Sequence, residues 1–162
     1  MQRIKLLTLA LIVAIVLAVS AGSIGAASAG SKPDQSAKRL TVVEHAVSDT
    51  VVDTGATGDS LGDILAFGNP IFDAANAKQI GRDQGYCVRT NVGAGSSWEC
   101  NWTVILDQGS LVVEGPYYDD LRDSQLAITG GTGDFRRTRG EMTLHSRNAA
   151  GTEYDFIYHL AP

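Results

Sequence analysis

A chain of 162 residues, 44% hydrophobic and 19% charged, has room for one folded domain and is too apolar to be a disordered one. Its formal charge of −5 excludes the basic stripe that a nucleic-acid partner needs. The charge is uneven: residues 1–29 hold Arg3 and Lys5 and no acid, so the rest of the chain is the more acidic part.

Arg3 and Lys5 precede an apolar run from Leu6 to Val19, broken only by Thr8, and small residues then lead to Ala27-Ser28-Ala29. This is the order of a secretory signal cleaved before Gly30. The rival reading is a retained membrane anchor, but the run falls short of the ~20 residues that span a bilayer. Residues 1–29 are therefore read as a signal peptide, residues 30–38 as a flexible polar leader, and residues 39–162 as the folded domain. The expected localisation is secreted, with no stable membrane insertion after cleavage.

From Arg39 onward, short runs rich in β-branched and aromatic residues alternate with turn signals. They are Arg39–Ser48, Leu61–Phe72, Ile80–Asn91, Ser97–Asp107, Ser110–Glu114, Gln125–Thr129, Arg139–Arg147 and Thr152–Leu160. Within the second, Asn69-Pro70 demands a bulge or an edge, because proline cannot donate to a ladder. No sustained helical period appears outside the signal. The pattern predicts an all-β fold, a sandwich or an antiparallel barrel of about eight strands. A barrel of that size is either filled by side chains or holds one small ligand. Phe67, Trp98, Trp102, Tyr154, Phe156 and Tyr158 either line such a cavity or form ordinary core.

Export gives the two cysteines a meaning, since an oxidising compartment favours pairing. If Asn91 faces Ser96 across the glycine-rich loop Val92–Gly95, then Cys87 and Cys100 lie directly opposite each other on one face. A cross-strand disulfide is the structural reading, and a free reactive thiol is the alternative. Glu44 is a carboxylate among Val42, Val43 and Val47, and neither face of its strand is cleanly apolar. Pointing inward it would be a general acid/base candidate; pointing outward it would be a surface charge.

Several stretches resemble a known family. Leu61-Gly62-Asp63-Ile64-Leu65-Ala66-Phe67-Gly68-Asn69 with Ile71-Phe72-Asp73, then Gly85-Tyr86-Cys87-Val88 and Gly115-Pro116-Tyr117, are similar in order to motifs of allene oxide cyclases. The run from Leu126 to Phe135 and the pair Arg139-Gly140 are shared by those enzymes and the related dirigent proteins. Ile80–Gly85 has a dirigent look. The resemblance covers roughly residues 40–160. It implies an eight-stranded antiparallel up-and-down β-barrel of calycin type with a ligand cavity, often oligomeric. It also implies that Glu44 is an interior carboxylate polarising the substrate, and that Cys87 is the family's barrel cysteine. Ala46 stands where allene oxide cyclases have a water-holding asparagine, and no Ser-Pro pair follows, so that arrangement is not reproduced.

Other constellations are bland. Gly130-Gly131-Thr132-Gly133 lacks the Gly-Lys-Ser/Thr ending of a phosphate loop. Asn101-Trp102-Thr103 is a sequon placed on an inner strand, a poor acceptor site. His45, His145 and His159 lie on separate strands with no zinc spacing. Asp119, Asp120 and Asp123 lack the loop of a calcium hand, and there is no nucleophile elbow. No metal and no cofactor are expected. Three functions follow: a barrel that binds a small apolar molecule and steers its cyclisation or coupling, isomerase-like, with Glu44 as the polar handle; a lipocalin-like carrier; or a structural barrel. A homo-oligomer is compatible with each.

Overall fold

The computed structural model describes residues 38–161. The signal read at residues 1–29, and the leader apart from Lys38, lie outside the described residues. What is described is an all-β chain of ten strands that make eight staves of a closed antiparallel barrel. The first stave is β1 (Lys38–His45) continued by β2 (Thr50–Val52). The second is β3 (Ile64–Phe67) continued by β4 (Pro70–Asp73). Then follow β5 (Gln79–Asn91), β6 (Ser97–Leu106), β7 (Gly109–Tyr118), β8 (Ser124–Gly131), β9 (Gly140–Ser146) and β10 (Glu153–Leu160). Each pairs with the next, and β10 closes the barrel on β1 through Val42 opposite Phe156 and Glu44 opposite Tyr154.

The expected first strand ends early, at His45, and resumes as β2. The second is broken at Gly68 and Asn69, and Pro70 opens β4 instead of interrupting it. The two breaks are neighbours. Between Glu44 opposite Ile71 and Thr50 opposite Ala66 the ladder between the staves is missing, so its backbone groups need other partners. Asn69 provides them. Its side-chain oxygen accepts from the backbone N–H of Val47 at 2.9 Å and of Ser48 at 3.0 Å. Its amide nitrogen donates to Glu44 at 2.9 Å and to Asp49 at 2.8 Å. Its own N–H donates to the carboxyl of Asp83 at 2.8 Å, and its C=O accepts from Asp83 N–H at 2.8 Å.

Side chains alternate in and out as a half-buried sheet requires. On β6, Trp98, Cys100, Trp102, Val104 and Leu106 all point inward. Toward the β6–β7 turn the interior is packed by Leu106, Leu111, Ile128, Tyr158 and Phe135, the last from a 3-10 turn at Gly133–Phe135. Trp102 crosses over Gly85, where an added Cβ would stand 2.3 Å from the Trp102 Cβ. At the opposite rim Arg89 pairs with Asp59 at 2.7 Å and with Asp119, and lies 4.0 Å over the Trp98 ring. That network ties the loops before β3 and after β7 to the β5–β6 hairpin.

Cys87 and Cys100 are register partners and are bonded to each other. The hairpin that aligns them differs from expectation: Asn91 faces Ser97, and a bulge between Arg89 and Asn91 absorbs the extra residue. The register below the bulge is the one that pairs the cysteines.

Two stability results are expected. Asn69→Ala leaves the breaks in both staves without partners and should cost about 3 kcal/mol, the loss for orphaning more than one buried polar group, read by urea unfolding. Replacing both cysteines by alanine should cost about 2–3 kcal/mol, as for a short cross-linked loop, and wild-type protein under reductant should show the same loss.

Candidate functional site

The interior is hollow in one layer. Going around β5, β6 and β7, the residues in register at this level are Cys87, Cys100 and Gly115, which together contribute little side-chain volume. The next layer inward is floored by Trp102 and Val113, and the layer at the rim carries Trp98 and Tyr117. The result is a cavity of about 140 Å3, open at the rim, lined by Glu44, Asp49, Leu65, Phe67, the Cys87–Cys100 disulfide, Trp102, Tyr117, Leu144, Tyr154 and Phe156. A dry cavity of about 150 Å3 accepts a benzene ring, so this one has room for a single ring.

The wall is aromatic and interlocked. Trp102 packs against Phe67 edge-on at 6.0 Å and against Phe156 at 5.5 Å between ring centroids. Tyr117 and Tyr154 meet edge-on, their hydroxyls 2.9 Å apart. Of the aromatic residues named from sequence, Phe67, Trp102, Tyr154 and Phe156 line the cavity, and Trp98 and Tyr158 do not. Trp98 sits one layer toward the rim, beneath Arg89, with its indole N–H on Asp119 at 2.9 Å. Tyr158 lies in the packed half, fully buried.

Glu44 points inward, with 6% of its surface exposed. It belongs to a carboxyl cluster that sequence reading missed. Asp83 is wholly buried, and Asp49 reaches the cavity from the loop between β1 and β2. Burial pushes the Glu44 carboxyl well above the usual carboxylate range; the neighbouring Asp83 charge and a hydrogen bond to Asp83 push the same way, against the bond from Asn69. Burial also raises Asp83, to about 6, although its bonds to Glu44 and to the Asn69 N–H pull it down. The two buried carboxyls thus resist ionising together, and Glu44, beside the cavity, is the one held most strongly toward its neutral form. Burial raises the hydroxyls of Tyr117 and Tyr154 too, so both remain neutral donors. Chemically, the site offers a carboxyl held toward its neutral form and two phenols to a space the size of one ring.

Alternation alone could have found Asp83: it lies four residues before Cys87 on the same strand, hence on the same face. Asn69 stood within the quoted motif without a role. Asp49 lies outside regular alternation, in the stave break. Among the described residues no group of histidine, cysteine and carboxylate side chains is placed to hold a metal, and no helix is long and apolar enough to cross a membrane. Asp119, one of the three acids that lack a calcium-hand loop, is the acceptor for Arg89, Trp98 and Ser96.

The fold is a closed eight-stave antiparallel barrel with one packed end and one hollow end, the architecture of the small up-and-down barrels. More narrowly, the chain belongs to the dirigent-like proteins, whose family model matches residues 31–161. Dirigent protein 12 of Arabidopsis thaliana is 30% identical over 117 residues, 68% of this chain and 63% of that protein. The chain therefore spans less than two thirds of the length of such curated relatives. Among solved structures, a pyocyanin demethylase is 27% identical with a TM-score of 0.66, covering 76% of this chain and 100% of the other. A pterocarpan synthase dirigent protein is 19% identical with a TM-score of 0.61, covering 80% of this chain and 99% of the other, and shows the shared fold.

The raised carboxyls set a pH dependence. Asp83 binds its proton more tightly in the folded barrel than in the unfolded chain, where its pKa is near 4. The stability this contributes is complete below that value and is lost as pH rises through about 6. Thermal unfolding followed by circular dichroism should therefore show Tm falling between pH 4 and pH 7. Asp83→Asn, which keeps an oxygen for the Asn69 N–H and adds a donor for Glu44, should flatten that fall.

Proposed function

We propose that the hollow end binds one small, planar, largely apolar molecule and that Glu44 moves a proton at it, steering an isomerisation, cyclisation or coupling. The observation that carries this reading is a buried carboxyl, Glu44, set into the wall of a largely aromatic, ring-sized cavity, with Asp83 buried behind it. Walls of Trp102, Phe67 and Phe156 would hold the substrate in one reactive conformer. Held toward its neutral form, Glu44 would act as acid and recover as base. The Tyr117–Tyr154 pair would orient a polar substituent. Relatives and neighbours of this fold include a pterocarpan synthase dirigent protein and an intermolecular Diels-Alderase, which supports a role in guiding ring formation or coupling.

We also propose that the protein acts outside the cytoplasm. The charged, apolar and small-residue order of residues 1–29 supports this, as does a disulfide that needs an oxidising compartment.

Proton transfer can be measured without the natural substrate. Single-ring cyclic enones are incubated with the protein in D2O, and proton exchange next to the carbonyl is followed by NMR. The wild type should accelerate exchange, and Glu44→Gln should lower the enhancement by about 100-fold or more while still binding the ring. A Glu44→Gln variant that binds and exchanges as fast as the wild type rejects the catalytic role and leaves a carrier.

A further inference from the structure

We infer that the preferred ligand of this cavity carries a positive charge: a single-ring aromatic cation of the N-alkylated heteroaromatic type. The inference rests on the reading of the hollow end as a ligand site and names the ligand's chemistry. Among the described residues every ionisable group lining the cavity is a carboxyl or a phenol, and no lysine, arginine or histidine lines it. Glu44, Asp49 and Asp83 converge on the single side chain and backbone of Asn69. None of the three forms an ion pair among the described residues.

Buried carboxyls ordinarily find a cationic partner, because desolvation is otherwise uncompensated. The one inward-facing cation on β5, Arg89, is two residues beyond Cys87 but is held by Asp59 and Asp119 and does not line the cavity. The protein thus withholds its own counter-charge from the carboxyls at the cavity. Much of the remaining wall is ring faces and edges from Phe67, Trp102, Tyr154 and Phe156, and desolvated aromatic rings attract cations strongly. Aromatic walls with carboxylates and no base match a delocalised cation, tolerate a neutral ring and repel an anion.

Three probes of one size and differing charge separate these cases: N-methylpyridinium, toluene and benzoate. Binding is read from the NMR shifts of the Leu65 and Leu144 methyl groups, both on the cavity wall. At neutral pH the cation should bind at least about tenfold more tightly than toluene, and benzoate most weakly. Asp83→Asn and Asp49→Asn each remove a carboxyl while keeping an oxygen to accept from Asn69, and each should shrink the cation-to-toluene ratio several-fold. Toluene binding as tightly as the cation, or a ratio unchanged in both variants, overturns the charge assignment and leaves the ligand site standing. If none of the three shifts either methyl group, the ligand site itself is wrong, and the charge assignment falls with it.

Discussion

Everything particular about this barrel depends on how one asparagine is held. Two adjacent staves are broken at the same height, and a closed barrel with two aligned breaks would leave backbone groups unpaired next to its interior. Asn69 fills the gap with both faces of its amide, oxygen toward the Val47 and Ser48 N–H groups and nitrogen toward Glu44 and Asp49. That orientation follows from its surroundings, since only the nitrogen side can face two carboxyls. The same residue, through its backbone, fixes Asp83 on the neighbouring β5. A structural repair therefore doubles as the device that gathers three acids at one point.

The cavity has an equally local cause. A small eight-stranded barrel is normally filled, and here the half near the β6–β7 turn is. The gap arises in the layer where Cys87, Cys100 and Gly115 meet in register. The disulfide holds two strands of that thin layer together without filling the space that large side chains would occupy. Void and acids then reinforce each other. The cavity exposes Glu44 to a ligand, while the packed half keeps Asp83 dry behind it, so that the two resist ionising together. A carboxyl beside a filled core would be only a destabilising defect.

Much of the fold was legible from sequence because the relevant patterns are local. Alternation and turn residues located the staves, and the spacing of Cys87 and Cys100 matched a common face even though the assumed loop pairing was off by one. Bulges and stave breaks were not legible, because they depend on which backbone groups lose partners after closure. This is why Arg39–Ser48 reads as one unbroken strand and why nothing in the sequence pattern marks Asp49 or Asn69. The direction of Glu44 stayed open for a related reason: Val42 and Val43 are both wholly buried, so apolar alternation fails on β1. Trp98 and Tyr158 were grouped with the cavity residues because parity gives the face of a strand and not the layer along it. Membership of the dirigent-like family frames these features without accounting for them; the carboxyl cluster is read from this chain's own geometry.

A carbon-13 NMR titration of the side-chain carboxyl carbons tests most directly whether Glu44 and Asp83 are coupled and held toward their neutral forms beside the cavity. Glu44 should remain protonated after exposed carboxylates, with pKa values near 4, have ionised, and Asp83 should titrate at about 6, the two resonances responding to each other. Glu44 and Asp83 ionising together near pH 4, each indifferent to the other, would contradict that coupling.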